Sequence, residues 1–363
     1  MTFSIRNCFS FASVLASSVL LSSCASFESD APKMTVGAGT PVPVSGETEP
    51  VGTLGDDAAD DPEIWADPAD PSRAVILGTD KKAGLYVYGL DGKVRQFLPE
   101  GQLNNVDLRD GFEVDGRRMV LAGASDRGRM GMTLFLLDPA TLEVRTWGHA
   151  PTAVSEPYGF CLGRRGDAFI AVMVGKDGDV KQYRIASAAG QPQVTEERSF
   201  RLSSQPEGCV VDDATGALYV GEEAKGIWLY ALDPAAPAEP RLIAAAPSEQ
   251  LKPDVEGLAL MKDAAGTWLI ASSQGDSAFA VWKVDGPEPV YRGRFSAVAA
   301  NGVDNVTGTD GLAAHAGPIG AYPEGLLVIQ DDLDTDGEAL TAPQRRQNFK
   351  LVDWREVRRA LGL

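Results

Sequence analysis

A repeat of about 49 residues restricts the fold of this chain more than any other feature. Its clearest markers are equivalent glycines that stand 49, 49 and 54 residues apart, namely Gly159, Gly208, Gly257 and Gly311. Self-similarity with a period of about 20 to 50 residues is typical of architectures in which similar units bury their apolar faces against one another. The sequence therefore predicts an array of similar units.

Six segments share a polar or acidic start that leads into a short apolar strand. They start at Asp60, Asn104, Glu156, Gln205, Pro253 and Gly308. After a turn, each is followed by a second apolar strand that ends in polar or charged residues, as in AVILGTDKK, MVLAGASDR, FIAVMVGKD, ALYVGEE, WLIASSQGD and LLVIQDD. Third strands such as GLYVYGL and GIWLYAL are visible too. We expect an all-β fold, a six-bladed β-propeller with four-stranded antiparallel blades.

The N-terminal segment has the composition of an export signal. Residues 1–23 combine one basic residue with an apolar stretch and small residues, as signal peptides do. The sequence Leu21-Ser22-Ser23-Cys24 resembles a bacterial lipobox, and ordinary signal cleavage nearby is the alternative. We expect a lipoprotein-type signal peptide over residues 1–23, a lipid anchor on Cys24, a flexible tether over residues 24–45 and the propeller over residues 46–363. The protein would then be an exported lipoprotein of the outer membrane or periplasm, or a secreted protein.

The last residues of the chain predict a short helix. Asp353 is a typical N-cap, Gly362 is a typical stop signal, and the residues between them are amphipathic. We expect this helix to close a seam of the propeller.

Charge and missing motifs exclude several functions. The chain has 33 basic and 51 acidic residues, and a formal charge of -18 argues against a nucleic-acid partner. Neither histidine lies in an Arg-His-Gly motif, neither Cys161 nor Cys209 is followed six residues later by arginine, and no G-x-S-x-G, Walker or H-E-x-x-H motif occurs. Both cysteines stand in apolar runs, which favours buried free thiols over a disulfide or a nucleophile. Metal-assisted attack by water is the phosphatase chemistry that remains.

The predicted hairpins gather charged residues on one face. In an antiparallel hairpin, the start of the first strand and the end of the second lie at the same end. The second-strand ends carry, in chain order, Lys81, Lys82, Arg127, Lys176, Glu222, Glu223, Gln274, Asp276, Asp331 and Asp332. One half of the face is therefore cationic and the other acidic, which suits an oxyanion held together with Ca²⁺. A single carboxylate is usually a solvated loop residue, but recurrence at matched positions favours calcium ligation.

The chain resembles a known family over about residues 47–363. The segments AADDPEIW, TDKKAGLYVYGLDG, LNNVDLRDGF, EPYGF, VGKDGD, SQPEG, GEEAKGIW, PDVEGL, ASSQGDS and NFKLVDW resemble, in this order, those of the β-propeller phytases, the calcium-dependent alkaline phytases of bacteria (3-phytase type). The resemblance implies a six-bladed propeller that binds several Ca²⁺ ions. It also implies hydrolysis of phosphomonoesters of myo-inositol hexakisphosphate (phytate), presented as its calcium salt.

The resemblance also implies roles for individual residues. Those expected near substrate phosphates are Lys81, Arg127, Lys176 and Asp177, and Lys82 joins them as a cation of the same rim. Those expected around the cleavage-site calcium ions and the attacking water are Tyr158, Glu207, Glu223, Asp254, Glu256 and Gln274. Those expected near calcium elsewhere are Glu47, Asp60, Asp61, Asn105, Asp304 and Asp331. Three positions depart from the usual family pattern, with Asp177, Asp110 and Asp332 replacing Glu, Tyr and Gly.

Two other functions stay open at this point. One is a calcium-dependent propeller hydrolase of another class, such as a lactonase, and the other is a non-enzymatic lipoprotein that binds calcium or phosphate. Fold alone does not separate them from a phytase. In each case we expect a monomer that contacts the membrane only through its lipid anchor.

Overall fold

The structure is a computed structural model that describes residues 37–237, 239–335 and 338–363. The predicted signal peptide, Cys24 and the predicted tether up to residue 36 lie outside the described residues. The described part is built almost wholly of strands, and they form six sheets. Two short strands come first, β1 (Thr40–Pro43) and β2 (Gly46–Glu47).

Six antiparallel blades follow in chain order. Blade I contains β3 (Ala59–Asp67), β4 (Asp70–Asp80), β5 (Gly84–Tyr88) and β6 (Val94–Leu98). Blade II contains β7 (Leu103–Val114), β8 (Arg117–Asp126), β9 (Gly131–Leu137) and β10 (Val144–Pro151). Blade III contains β11 (Pro157–Arg165), β12 (Ala168–Gly175), β13 (Asp179–Ala188) and β14 (Gln191–Arg201). Blade IV contains β15 (Pro206–Asp212), β16 (Ala217–Glu222), β17 (Gly226–Ala231) and β18 (Arg241–Ala245).

The last two blades include strands from both ends of the described chain. Blade V contains β19 (Leu258–Asp263), β20 (Gly266–Ser273), β21 (Ala278–Lys283) and β22 (Val290–Val298), and blade VI contains β23 (Leu312–Ala316), β24 (Gly325–Asp334) and β25 (Arg346–Asp353). Short 3-10 helices occur at Gln274–Asp276 and Ala342–Gln344. The N-terminal strand β2 pairs antiparallel with β25 and supplies the fourth strand of blade VI. The predicted six-bladed propeller with four-stranded blades is confirmed.

The strand β1 corrects the predicted tether. It pairs in parallel with β22 as a fifth strand of blade V, although it lies inside residues 24–45, where we expected no fold. Val42 is fully buried, so the folded part begins by residue 40. The sequence TPVP gave no strand signal because proline cannot donate to a ladder and is confined to edge positions such as this one.

The apolar core consists of layers between neighbouring blades. Val75 and Leu77 of β4 pack towards blade II, whereas Ile76 between them packs towards blade VI. Successive side chains of a strand point to opposite faces of a sheet, so a strand covered on both faces reads as a continuous apolar run. This explains why the second strands were the clearest feature of the repeat.

The repeated glycines lie where the innermost strands of adjacent blades meet. A Cβ atom at Gly159 would lie 1.8 Å from the carbonyl oxygen of Glu207, and one at Gly208 would lie 2.0 Å from that of Glu256. Gly311 is packed as closely against blade I. Only glycine fits such contacts between backbones, and each contact places the acidic start of one blade against the next blade.

The C-terminal helix α1 (Trp354–Leu361) confirms its prediction. Asp353 caps it by accepting a hydrogen bond from the backbone N–H of Arg355, and Gly362 ends it with a φ of 62°. Trp354 and Val357 are fully buried against strands of blades V and VI. The helix therefore closes the seam between these two blades.

In the described ranges, no helix combines the length and apolar character that crossing a membrane requires.

The two cysteines correct a second prediction. We expected buried free thiols, but Cys161 of β11 and Cys209 of β15 form a disulfide with a Cα–Cα distance of 5.7 Å. Their separation of 48 residues is close to the length of the repeat. They therefore occupy similar positions on the innermost strands of blades III and IV. The prediction missed the disulfide because it considered each apolar run separately and not the distance between them.

Candidate active site

The starts and ends of the six hairpins meet on one face, which we call the polar face. In every blade, a backbone N–H at the end of the second strand donates to the carbonyl of a residue that precedes the first strand; the donor directly follows the second strand in blades I to V and lies near its end in blade VI. The six bonds join Lys81 to Ala58 (2.7 Å), Arg127 to Gln102 (2.9 Å), Lys176 to Glu156 (3.2 Å), Glu223 to Gln205 (3.0 Å), Gln274 to Asp254 (3.0 Å) and Asp332 to Thr307 (3.0 Å). The convergence expected from antiparallel pairing is therefore confirmed.

Three carboxylates form a buried group that we call the glutamate triad. Glu207, Glu223 and Glu256 each place an oxygen within 4.8 Å of the others, and each is less than a tenth exposed. Burial raises the pKa of Glu256 well above its usual value, and the charge of Glu207 adds to this effect. Burial also raises the pKa of Glu223 to about 7, against the hydrogen bond from Gln205. Buried like charges without a counter-charge create a strong demand for a cation.

Amide side chains orient the triad. Asn104 Nδ2 donates to Glu207 Oε1 (2.8 Å), and Gln205 Nε2 donates to Glu223 Oε1 (2.6 Å). Asn105, with its amide turned to satisfy both its oxygen and its nitrogen, donates to the carbonyl of Tyr158 (3.0 Å) and to Glu207 Oε1 (3.3 Å). These donors fix one oxygen of Glu207 and one of Glu223 and leave the other oxygen of each available to a ligand.

Asp254 and Tyr158 lie beside the triad, as the sequence predicted. Burial, and then the charge of Glu207, raises the pKa of Asp254. Burial, followed by the charges of Glu207 and Glu256, raises the pKa of Tyr158, so the phenol stays protonated. The hydroxyl of Ser125 donates to the Tyr158 carbonyl (2.5 Å), which fixes the backbone at the start of blade III.

Lys81 lies inside the face and not on its rim. Its side chain is 8% exposed, and Nζ contacts Asp310 Oδ2 (2.8 Å), Asp57 Oδ1 (2.9 Å) and Asp60 Oδ1 (3.1 Å). Burial opposes its charge, yet Asp310 and Asp60 raise its pKa well above the usual value. Lys82 projects outward instead, with Nζ 3.4 Å from Asp56 Oδ2. Of these two adjacent lysines, the first therefore offsets buried carboxylates and the second faces solvent.

Two further predicted residues adjoin the Lys81 group. Gln274 Nε2 donates to Asp310 Oδ1 (2.6 Å), so Gln274 orients this group and not the triad. Asp61 Oδ2 accepts the backbone N–H of Val106 (3.0 Å), and burial raises the pKa of Asp61 well above its usual value. Asp310 is one of the acidic strand starts whose recurrence favoured calcium ligation, and the structure places it against Lys81.

Arg127 and Lys176 form the cation pair of the rim. Arg127 Nη2 lies 2.7 Å and Lys176 Nζ lies 3.5 Å from the same atom, Glu156 Oε1. Both cations also flank the ring of Tyr158, with Lys176 Nζ 4.5 Å and Arg127 Cζ 5.9 Å from its centroid. The pair is therefore adjacent to the tyrosine that borders the triad.

Asp177 does not join this pair. Its carboxylate contacts Arg201 (3.1 Å), and a hydrogen bond from Ser155, followed by that from Arg201, lowers its pKa against a small burial effect. The predicted role of Asp177 near substrate phosphates thus gains no support from its contacts.

A further group of carboxylates surrounds the fully buried Lys350 of β25. Lys350 Nζ lies close to oxygens of Glu47 (2.5 Å), Asp304 (2.6 Å), Asp331 (3.3 Å) and Asp334 (3.3 Å). We call these five residues the Lys350 cluster. The structure thus brings together the predicted ligands Glu47, Asp304 and Asp331. It adds Asp334 and Lys350, and the only sequence signal for Lys350 was a lysine inside the apolar strand NFKLV.

A propeller whose polar face holds a buried glutamate triad beside an arginine–lysine pair has the groups to bind a cation and an oxyanion side by side. The family model for phytase matches residues 10–363 of this chain. The 3-phytase of Bacillus subtilis (strain 168) is 37% identical over 329 residues, which are 87% of this chain and 84% of that protein. The chain belongs to the phytase family, and it is an enzyme of the phosphoric monoester hydrolase class.

Solved structures of lower similarity also match. The nidogen/laminin complex is 13% identical with a TM-score of 0.46, covering 75% of this chain and 96% of that chain. A functionally unknown protein from Desulfotomaculum acetoxidans DSM 771 is 14% identical with a TM-score of 0.44, covering 63% and 70%. These likenesses add nothing to the functional assignment.

Proposed function

We propose that this enzyme hydrolyses phytate, presented as its calcium complex, to lower inositol phosphates and inorganic phosphate by direct attack of water. The observation that carries the proposal is the glutamate triad lying beside Arg127 and Lys176 on one face. A polyanionic substrate would be repelled by a protein of charge -18 unless bound cations reversed the local field. Family membership favours this reading over the lactonase and the non-enzymatic binding protein.

The donor set of the polar face fits calcium. Glu256 Oε2 and Asp60 Oδ2 are buried without a hydrogen-bond partner in the described residues, whereas Asp60 Oδ1 has the ion pair with Lys81. Ca²⁺ takes oxygen ligands in flexible geometry, chiefly carboxylates, carbonyls and water. The residues that would hold such ions without a protein counter-ion are Glu207, Glu223, Asp254, Glu256, Asp61 and Asn105. Asp60 contacts Lys81, and Glu47, Asp304 and Asp331 contact Lys350, so an ion bound by these four carboxylates would share them with an ammonium group. When bound, calcium supplies Lewis-acid polarisation of a phosphate oxygen and lowers the pKa of water.

The chain's own groups bind the phosphate and move the proton. Arg127 and Lys176 neutralise phosphate oxygens, and the planar guanidinium can contact two of them at once. Glu223 Oε1 is held by Gln205, which leaves Oε2 to bind a cation or to accept a proton from the attacking water as a general base. Burial excludes bulk water, so these charges act in a low dielectric.

The positions of the other nucleophiles support direct attack by water. Cys161 and Cys209 form a disulfide with each other, so neither is a free thiol that could attack phosphorus. His149 Nδ1 lies 3.0 Å from the hydroxyl of Thr133 on β9, and His315 lies at the far end of β23, where burial lowers its pKa. No covalent intermediate on the protein is needed.

The proposal is tested by phosphate release from phytate at neutral to mildly alkaline pH, in CaCl₂ and in EGTA. We expect release that depends on calcium. Glu207→Gln, which keeps the shape and the bond to Asn104 but removes the charge, should lower kcat by about a hundredfold or more, since groups that stabilise the transition state contribute at least this much. Hydrolysis by this variant at the wild-type rate would contradict the assignment.

We also propose that the protein is exported and anchored through a lipid on Cys24. Structural disulfides persist in oxidising compartments outside the cytosol, and Cys161–Cys209 agrees with this location. Mass spectrometry of the membrane fraction should find a diacylated N-terminal cysteine, and Cys24→Ser should release the enzyme from the membrane. An unmodified N-terminus downstream of Cys24 would indicate ordinary secretion instead.

A further inference from the structure

Glu156 stands between the two cations of the rim. It precedes β11, and its side chain is 38% exposed. Its Oε1 accepts a hydrogen bond from Arg127 Nε (2.9 Å) and lies 2.7 Å from Arg127 Nη2. The same oxygen lies 3.5 Å from Lys176 Nζ. A single carboxylate oxygen therefore contacts both groups of the cation pair.

Glu156 is the main counter-charge of this pair. In the described ranges, no other carboxylate lies within 4.0 Å of either Arg127 or Lys176. Their other contacts are weaker: Arg127 Nη1 lies 3.5 Å from Asn104 Oδ1, and Lys176 Nζ lies over the Tyr158 ring. An incoming phosphate must compete with Glu156 for the same donors.

The two cations favour the ionised form of Glu156. Burial alone would raise the pKa of this carboxyl, but the hydrogen bond from Arg127 and the charge of Lys176 outweigh it and lower the pKa. The carboxylate is thus a negative charge beside the position where a phosphate would bind.

We propose that Glu156 is an internal anion that sets the affinity of the Arg127–Lys176 pair for phosphate. This inference rests on the proposed function, in which the Arg127–Lys176 pair binds substrate phosphates. Glu156 keeps the two cations together in the free enzyme and yields them to a phosphate oxygen, so the net affinity is reduced by the contacts that must break. The inorganic phosphate product then leaves more readily, and product release limits the turnover of many enzymes.

The test is the inhibition constant of inorganic phosphate for Glu156→Gln. Glutamine keeps an oxygen acceptor for Arg127 but removes the charge, so the pair stays in place and attracts anions more strongly. At submillimolar calcium, where phosphate stays in solution, Ki should fall about threefold to tenfold, the effect of one charge contact at high dielectric. The KM for phytate should fall with it. An unchanged or raised Ki, with an unchanged melting temperature, would overturn the proposal.

Glu197 provides a matched control. It also bridges two cations, Arg165 (2.8 Å) and Arg184 (2.6 Å), and its pKa is likewise lowered by these arginines against burial. It lies on β14, away from the polar face. Glu197→Gln should therefore leave the Ki of phosphate unchanged, and a fall equal to that of Glu156→Gln would show a general charge effect and overturn the proposal.

Arg127→Gln separates this inference from the proposed function. If the pair binds phosphate, this variant raises Ki. A raised Ki in Arg127→Gln together with an unchanged Ki in Glu156→Gln would reject the role of Glu156 alone. An unchanged Ki in both variants would reject phosphate binding by the pair and the inference with it.

Discussion

The glutamate triad and the Lys350 cluster both concentrate buried carboxylates, but they differ in what offsets the charge. Lys350 places an ammonium group within 3.3 Å of all four carboxylates of its cluster. The triad has amide donors from Asn104 and Gln205 but no ion pair in the described residues. One group therefore carries its own cation, and the other depends on a cation from solution.

The pKa of Asp304 in the Lys350 cluster and the pKa of Glu223 in the triad express this difference, although burial raises the pKa of Asp331, another member of the cluster, to about 7 against the charge of Lys350. The pKa of Asp304 is lowered, because the hydrogen bonds from Lys350 and Thr335 outweigh the effect of burial. The pKa of Glu223 is raised to about 7, because burial outweighs the hydrogen bond from Gln205. A perturbed carboxylate without a protein counter-ion marks a functional site more strongly than one that is already paired. The comparison indicates that the Lys350 cluster serves stability first and that the triad serves chemistry.

Lys350→Met should have the largest effect on stability. Removing one partner of a buried ion pair leaves uncompensated charge, which costs about 3–5 kcal/mol. In EGTA, the free energy of unfolding from urea denaturation should fall by this amount. Added calcium should restore part of it, because a cation can then replace the ammonium.

Lys82→Met is the matched control for this variant. The side chain of Lys82 is 42% exposed, and among the described residues its one ion pair joins it to Asp56 across 3.4 Å. Such surface pairs contribute about 0–1 kcal/mol. An equal loss of unfolding free energy in the two variants would show that Lys350 does not offset the negative charge of its cluster. It would also remove the distinction between the Lys350 cluster and the glutamate triad.

Neutralising one carboxylate in each group should shift stability in opposite directions. In EGTA at pH 8, Glu223→Gln removes an uncompensated charge and should raise the free energy of unfolding by about 1–2 kcal/mol, a value reduced for partial exposure. Asp304→Asn removes a partner of Lys350 and an acceptor for Thr335, and should lower it by about 1–2 kcal/mol. Urea denaturation of both variants measures the two shifts. A loss of stability in both would mean that the triad is already compensated within the protein.

The sequence predicted the polar face well because strand periodicity is a local property. Glu207, Glu223 and Glu256 stand at the starts and ends of recognisable strands, and antiparallel pairing alone brings such positions to one end of a blade. The same reasoning placed Arg127 and Lys176 on that face. This prediction needs only the position of each residue along its own hairpin, and the sequence repeat shows that position.

The remaining contacts depend on partners from other blades. Lys81 and Lys82 are adjacent in sequence, and Lys81 is buried because Asp310, from the other end of the chain, reaches its ammonium group. In the sequence, Lys350 is a lysine inside an apolar strand with no visible counter-ion, because its partner Glu47 stands 303 residues away. The disulfide was missed for the same reason. Register between blades, which fixes these pairs, leaves no local signal in a single sequence.

The pH dependence of the metal-free protein should show the smallest effect. The folded pKa of Glu223, about 7, is raised above its ordinary value of 4.5, so its contribution to stability is full below about pH 4.5 and is lost as the pH rises towards 7 and beyond. The lowered pKa of Asp304 acts in the opposite sense, and its contribution is lost only in acid, below the ordinary value of 3.8. Between pH 5.5 and 8, stability in EGTA should therefore fall by about 1 kcal/mol, or about 2–4 °C in melting temperature. Burial also raises the pKa of Asp310 and of Asp331 to about 7, so Glu223→Gln should reduce this slope only in part. Saturating calcium should reduce it further, because the cation offsets the charge that forms. A slope that is unchanged in both conditions would assign the titration to groups outside the triad.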